Sequence, residues 1–404
     1  MRVPGEARAG VARQLVDERA TDPELVAQQA GAVAAAWSPA GAPPSWQLTA
    51  AQFATLRDDH ELLALAASIP PHRLPPLLFE AAASFLVLEL EPRPLRDWFP
   101  RVGEPQPALD PQFRSHYREF CLDHRERLLE LCEEHRYQMN EVGRCADALP
   151  ALTPAIGEGR ELMLVDIGTG AGLALGLDRY RYVFTGPGDR LATVGAETST
   201  VVIETRVRGS EPVPVTARSP RIVDRVGIDV EPLDLADPTV RAWLAACIPQ
   251  EIGAVTRFHH AVELAIANPA RTVRGDALEV LPAVLEGTPE TTLVCLLDSY
   301  VHVFFSADEL TRFRALVDDL GARRDLDWIS IDPLVPLGGA ADRSVLGIPV
   351  PPELARRGQR EGVFGVVGRL RYRGGRRSGV LLGLAHPGAA WLEWLVGGGG
   401  DLAG

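Results

Sequence analysis

An apolar run, Leu162-Met163-Leu164-Val165, leads into Asp166-Ile167-Gly168-Thr169-Gly170-Ala171-Gly172. Glycine lets the chain turn sharply and lets a ligand approach without a Cβ in the way. A helix starting just beyond would offer free N–H groups. The acid and the three glycines two apart therefore read as a ligand-holding strand-to-helix turn, with Asp166, Gly168, Gly170 and Gly172 at the ligand. Leu173 stands where the dinucleotide fingerprint G-x-G-x-x-G requires its last glycine, and the P-loop Gly-Lys-Ser/Thr is absent. The bland alternative is a tight turn with no ligand.

Two acids downstream suit a nucleoside. Asp229 ends the run Val226-Gly227-Ile228, where a carboxylate can accept both hydroxyls of a ribose. Asp276-Ala277, in Arg274-Gly275-Asp276-Ala277, resembles a motif whose acid and adjacent amide read an adenine, which implies that role here. Asp276 also suits the N-cap of the helix that follows, and the two roles can coexist. A third group lies past another buried run, Leu296-Leu297-Asp298-Ser299-Tyr300-Val301-His302. There His302 can take a proton near neutral pH, Tyr300 can orient a substrate, and Asp298 can contact the cofactor. The competing reading has Asp298 as a cap and the two rings packed or solvated. The polar segment Tyr137-Gln138-Met139-Asn140-Glu141-Val142-Gly143-Arg144 is unusual between apolar helical runs. Glu141 is a second candidate base. Tyr137, Gln138, Asn140, Arg144 and, at the next polar-aromatic group, Tyr180 are candidate substrate contacts. Glu141 and Arg144 equally suit a surface pair one turn apart.

The elements that must position these residues fall into two textures. Residues 1–155 read as a helical domain, with helices over Glu24–Trp37, Pro76–Leu90, Phe113–Leu131 and from Asn140 towards Ile156. Residues 156–396 alternate short apolar runs with helical segments, the pattern of βα units around a mostly parallel sheet. Strands are expected at Leu162–Ile167, Val226–Val230, Thr272–Val273, Thr292–Leu297 and Asp327–Ile331. Helices are expected at Gly172–Asp178, Pro238–Cys247, Gly253–Ala267, Ala277–Leu285 and Ala307–Leu320. Val363–Tyr372 and Gly379–His386 close the sheet as an antiparallel hairpin. Residues 181–221 form an insertion, read as a β-hairpin or flap, with Thr198–Arg206 as a strand. The glycines 397–400 read as a disordered tail.

Composition excludes several classes. The chain has 404 residues, 46% hydrophobic, and a formal charge of −13. That is enough to bury a core in two domains, and an acidic protein does not attract nucleic acid. The five cysteines, at 121, 132, 145, 247 and 295, form no C-x-x-C pair. Neither a metal nor a disulfide framework is expected, and the reading is a reducing cytoplasm. The first residues have no apolar signal core. The greasiest stretch, Pro76–Leu90, is too short to span a bilayer, so no membrane partner is expected. A homodimer, with the insertion pairing between subunits, is left open.

The D-x-G-x-G-x-G loop resembles the first motif of class I methyltransferases, and five parallel strands closed by an antiparallel hairpin resemble their sheet. That resemblance implies a Rossmann-like α/β fold with a seven-stranded sheet and S-adenosylmethionine, the loop backing its methionine part. Over nearly the whole chain the sequence also resembles the bacterial domain-of-unknown-function family 2332. The carrying segments are Tyr137–Arg144, Asp166–Leu175, Asp178–Tyr182, Arg225–Asp234, Trp243–Cys247, Gly275–Ala277 and the closing His386-Pro387-Gly388 stretch. The resemblance implies that Gln138–Arg144 is functional. Ala174, Gly388, Tyr300 and His302 depart from the family pattern, which implies a reshaped pocket. The function expected is transfer of a methyl group to a small molecule of specialised metabolism. Two alternatives stand beside it: a cyclase, lyase or transferase using the aminobutyrate arm of the same cofactor, and a non-catalytic binding module.

Overall fold

The computed structural model describes residues 20–39, 42–186, 190–216, 218–333, 344–361 and 363–396. Its strands are β1 (Leu162–Ile167), β2 (Arg181–Thr185), β3 (Arg190–Val194), β4 (Val202–Arg208), β5 (Ile222–Asp229), β6 (Arg271–Arg274) and β7 (Leu293–Ser299). Then come β8 (Leu326–Pro333), β9 (Ser344–Val345), β10 (Ile348–Pro349), β11 (Gly365–Arg373), β12 (Arg376–Ala385) and β13 (Trp391–Trp394). Eleven of them form one mixed, mostly parallel sheet in the order β3-β2-β4-β13-β12-β11-β8-β7-β1-β5-β6. The seven strands expected are thus exceeded by four. Residues 181–221 are not a separate flap. β2 and β3 form the expected antiparallel hairpin, but β4 pairs in parallel with both β2 and β13 and so extends the main sheet. The strand that makes this possible, β13, has only four residues, too short for its alternation to stand out in the sequence.

The core half, β6-β5-β1-β7-β8, is parallel throughout. Every residue of β1 is buried, as a central strand covered on both faces requires. Met163, Val165 and Ile167 pack on one face with helices Ala277–Leu285 and Ala307–Arg323. Leu164 packs on the other with helices Cys145–Gly157 and Ile252–Ala267. Pro150 and Pro154 lie inside helix Cys145–Gly157, which nonetheless continues through them and contributes ten buried residues. The closing hairpin turns on Gly374 and Gly375, at φ 55° and 73°, the mirror-image turn that matches strand twist. β11 lies between β8 and β12, antiparallel to both.

The segment after the glycine loop is a 3-10 stretch, Leu173–Arg179, not the α-helix expected. It holds one buried leucine in every two residues (Leu173, Leu175, Leu177), a spacing that anchors a tight turn rather than one face of a longer helix. Towards the N-terminus, helices Pro23–Ala36, Gln47–Asp58, His60–Ala67 and Pro75–Leu90 share a core with Phe113–Asp123 and Arg125–Glu134. The last two break at His124 where one helix was expected. Trp243, Ala246 and Cys247 of helix Pro238–Cys247 join that same core. Among the described residues no helix is long and apolar enough to cross a membrane. The glycines 397–400 lie outside the described residues.

Candidate functional site

The chain winds outward from β1 to β5 and β6, then returns to β7 on the other side of β1. That reversal falls between β1 and β7, and in open α/β sheets the carboxyl ends of the strands at such a reversal are the usual place for a ligand. The glycine loop sits there. Gly168, Gly170 and Gly172 all have left-handed backbones, at φ 67°, 54° and 73°, which a side chain would strain. A Cβ on Gly168 would meet Val301 at 2.6 Å, so the loops after β1 and β7 close on each other. Asp166 is buried and accepts the Thr169 hydroxyl at 2.6 Å. Burial pushes its carboxyl up to about 7 against that hydrogen bond.

Asp229 ends β5 beside the loop. Its Oδ2 accepts the Gly170 N–H at 2.8 Å and its Oδ1 the Glu231 N–H at 2.9 Å. Its carbonyl accepts the Gly275 N–H at 2.9 Å, tying the end of β5 to the turn after β6. On that turn Asp276 caps its helix through Leu278 N at 2.9 Å, with Ala277 buried behind it. Asn140 reaches the loop from the polar segment: its Oδ1 accepts the Ala171 N–H at 3.0 Å. It also lies 2.9 Å from where a Gly170 Cβ would be. The polar segment is thus docked on the glycine loop, with Gln138 half-buried beside it and its carbonyl accepting from Asn140.

Asp298, at the end of β7, is fully buried. It accepts Trp328 Nε1 at 2.5 Å and the Ser330 hydroxyl at 2.6 Å. His302 follows on a 3-10 turn, with Nδ1 hydrogen-bonded to Asp332 and Nε2 3.5 Å from Asp298. Burial alone would discharge the ring, but Asp298 and then Asp332 outweigh it and raise its pKa to about 9. At neutral pH His302 is therefore an imidazolium between two acids, and acting as a base would require it first to lose that proton. Burial also raises Asp298, to about 6. Asp298, His302 and Asp332 are, among the described residues, the group close enough to share a metal ion. Hydrogen bonds engage Nδ1 and both Asp298 oxygens, while His302 Nε2 and Asp332 Oδ1 are buried without a hydrogen-bond partner.

Tyr300 lies between Asp298 and His302 in sequence yet turns away from them. Its backbone is left-handed, at φ 60°, and its ring packs with the opposite face of the sheet. There the Arg144 guanidinium lies 4.0 Å over the ring, a contact of about 1–2 kcal/mol away from water. Arg144 donates to Pro387 O at 3.1 Å and to Met139 Sδ at 2.7 Å. Asp147, one turn further along, is fully buried, and neither carboxylate oxygen accepts a hydrogen bond. Burial drives its pKa well up, with Arg144 opposing and Glu141 adding to the rise. The Tyr300 hydroxyl is likewise buried without a partner, and burial raises its pKa too.

Glu141 is placed for architecture. Its Oε1 accepts the Gly143 N–H at 2.8 Å and Arg257 Nη2 at 3.2 Å. Tyr180 is buried in the core, donating to Leu173 O at 2.5 Å. Tyr137 packs at the edge of the helical core, where burial raises its pKa. His386 is neutral and structural: burial lowers it to about 4, between Trp37 and Trp46. Asp332 and Asp147 escaped the sequence reading. The alternation Ser330-Ile331-Asp332 after a buried strand was the available signal for one. The lone acid in Cys145-Ala146-Asp147-Ala148-Leu149 was the signal for the other.

No curated protein matches the chain. A family model described as uncharacterized proteins conserved in bacteria (DUF2332) matches residues 28–394, which include every residue of the candidate site, and the chain belongs to that family.

Proposed function

We propose that this protein is an S-adenosylmethionine-dependent enzyme that transfers a methyl group to a small molecule. The observation that carries the reading is the reversal of strand order between β1 and β7, where three left-handed glycines follow β1 and Asp229 and Asp276 follow the neighbouring strands. The residues fit the group. Each Asp229 oxygen accepts one backbone N–H, which leaves a lone pair on each for the two hydroxyls of a ribose. Asp276 engages its helix through Oδ1, and Ala277 presents its amide alongside. Gly168–Gly172 would back the methionine part. The cofactor supplies an alkyl carbon attached to a good leaving group, the sulfonium.

The chain's own residues then position and handle protons. Asn140 fixes the loop through Ala171 N, and Arg257 holds Glu141 so that the turn at Val142–Arg144 keeps its place. His302, oriented by Asp332 at Nδ1, faces the reaction through Nε2; once it has given up its own proton to water, it takes the proton that the acceptor loses on methylation. Tyr300 orients the second substrate from the opposite side. One observation supports a second reading, chemistry on the aminobutyrate arm: Asn140 packs directly on the glycine loop, which would leave less room there for a separate acceptor.

The test is calorimetric titration with S-adenosylmethionine, followed by incubation with and without a cell extract and mass spectrometry of products. S-adenosylhomocysteine formed only with extract supports methyl transfer. Methylthioadenosine formed without an acceptor supports the second reading. Absence of binding sinks both.

A further inference from the structure

The buried carboxylate of Asp147 makes no hydrogen bond to the rest of the fold or to the glycine loop. It sits in the first turns of helix Cys145–Gly157, which packs on β8 and β11. Buried polar groups in folded proteins are nearly always hydrogen-bonded, and a buried carboxylate with no partner on either oxygen is costly. The neighbouring cation opposes the effect of burial but does not pair with the carboxylate. Arg144 is held by Pro387 O, Met139 Sδ and the Tyr300 ring, and forms no ion pair with Asp147. The Tyr300 hydroxyl is also unpartnered; its ring lies under the Arg144 guanidinium, one turn before Asp147, and packs in the same core as the Asp147 helix. So is Glu141 Oε2. What is left unsatisfied here is acceptor-rich: three carboxylate oxygens and one hydroxyl.

We propose that Asp147 and Tyr300 seat a positively charged organic amine, and that the second substrate is of that class. The naming of it as second substrate rests on the small-molecule enzyme reading above; the seat itself does not. An ammonium brings three N–H donors and one positive charge, which the two Asp147 oxygens and the Tyr300 hydroxyl can take up. A neutral alcohol would supply one donor and no charge. A carboxylate would add repulsion. Because burial raises the Asp147 carboxyl well above its usual range, seating a cation there ionises it and releases a proton.

The experiment uses the full-length protein and three probes of one shape: n-butylammonium, n-butanol and n-butyrate. Calorimetric titrations at pH 7.5, run in two buffers of different ionisation enthalpy, read both affinity and proton release. The expected result is an affinity for n-butylammonium about tenfold or more above that for n-butanol, with protons released on binding. Asp147→Asn, of the same shape, should abolish the preference, and Tyr300→Phe should reduce it. Equal binding of amine and alcohol, or an amine preference that survives Asp147→Asn, overturns the proposal. S-adenosylmethionine binding is measured on the same samples. Binding of that molecule without amine preference refutes this inference alone. Amine preference without such binding refutes the cofactor reading and leaves the seat standing.

Discussion

The charged state of His302 can be broken at one atom. Asp332→Asn keeps the shape of the side chain at His302 Nδ1 and removes its charge. His302 is raised from 6.5 to about 9 because two carboxylates outweigh burial. At about 1.4 kcal/mol per tenfold in proton affinity, that rise corresponds to about 3 kcal/mol of preference for the charged ring. Both side chains are more than nine-tenths buried, so solvent takes little of it away. With Asp298 still in place, the variant should lose about 1–2 kcal/mol of that preference. The sign follows from the raised pKa of the folded state. The stabilisation is fully present below about 6.5, falls as pH rises, and is gone above about 9. Long-range nitrogen NMR of the imidazole should give a His302 midpoint near 9 in the wild type and a clearly lower one in the variant. Thermal unfolding should show the largest gap between the two proteins at pH 6 and little gap at pH 9.5. A wild-type midpoint below 7, or a gap independent of pH, would refute the reasoning.

Gly170→Ala places a side chain at φ 54° and 2.9 Å from Asn140 Oδ1. It should cost about 1–2 kcal/mol in denaturant unfolding and weaken S-adenosylmethionine in calorimetry by more than the stability loss explains. Asp229→Ala removes both the acceptor for Gly170 N and the ribose carboxylate; the folded variant should bind the same molecule at least tenfold more weakly, and unchanged affinity would move the nucleoside elsewhere. Asp147→Ala should raise the melting temperature, because relief of an unpartnered buried carboxylate, about 1–3 kcal/mol, exceeds the small cavity it leaves; a lower value would mean that the carboxylate supports the fold. In the helical core, burial raises Glu80 to about 8 against its hydrogen bond from Tyr117. Stability should therefore fall as pH rises from about 4.5 to 8, and Glu80→Gln should flatten that dependence in melting curves.

Local pattern determined a good part of this protein. The alternation of apolar runs with helical segments gave the parallel strands β1, β5, β6, β7 and β8 in their chain order; β1, β7 and β8 stand out most because a strand covered on both faces is apolar nearly throughout. The two glycines of the closing turn marked the β11–β12 hairpin, and the three of the loop marked the candidate site, because only glycine takes those backbones without strain. Asp229 and Asp276 could be located from position alone, since the one ends β5 and the other caps the helix after β6, which puts both at the carboxyl edge of the parallel strands. Tertiary structure decided what periodicity cannot carry. Residues 181–221 became part of the main sheet only because β13, nearly two hundred residues later, supplies an edge for β4 to pair with. Tyr300 and His302, two residues apart, went to opposite sides because a left-handed backbone at Tyr300 breaks the alternation that sequence spacing assumes. His302 is held in its charged form because Asp298 and, thirty residues on, Asp332 share a buried space with its ring. Asp147 acquired its interest from burial alone. Charge states and unpaired atoms depend on which distant groups share a water-free volume, and that is a property of packing, which no local stretch of sequence contains.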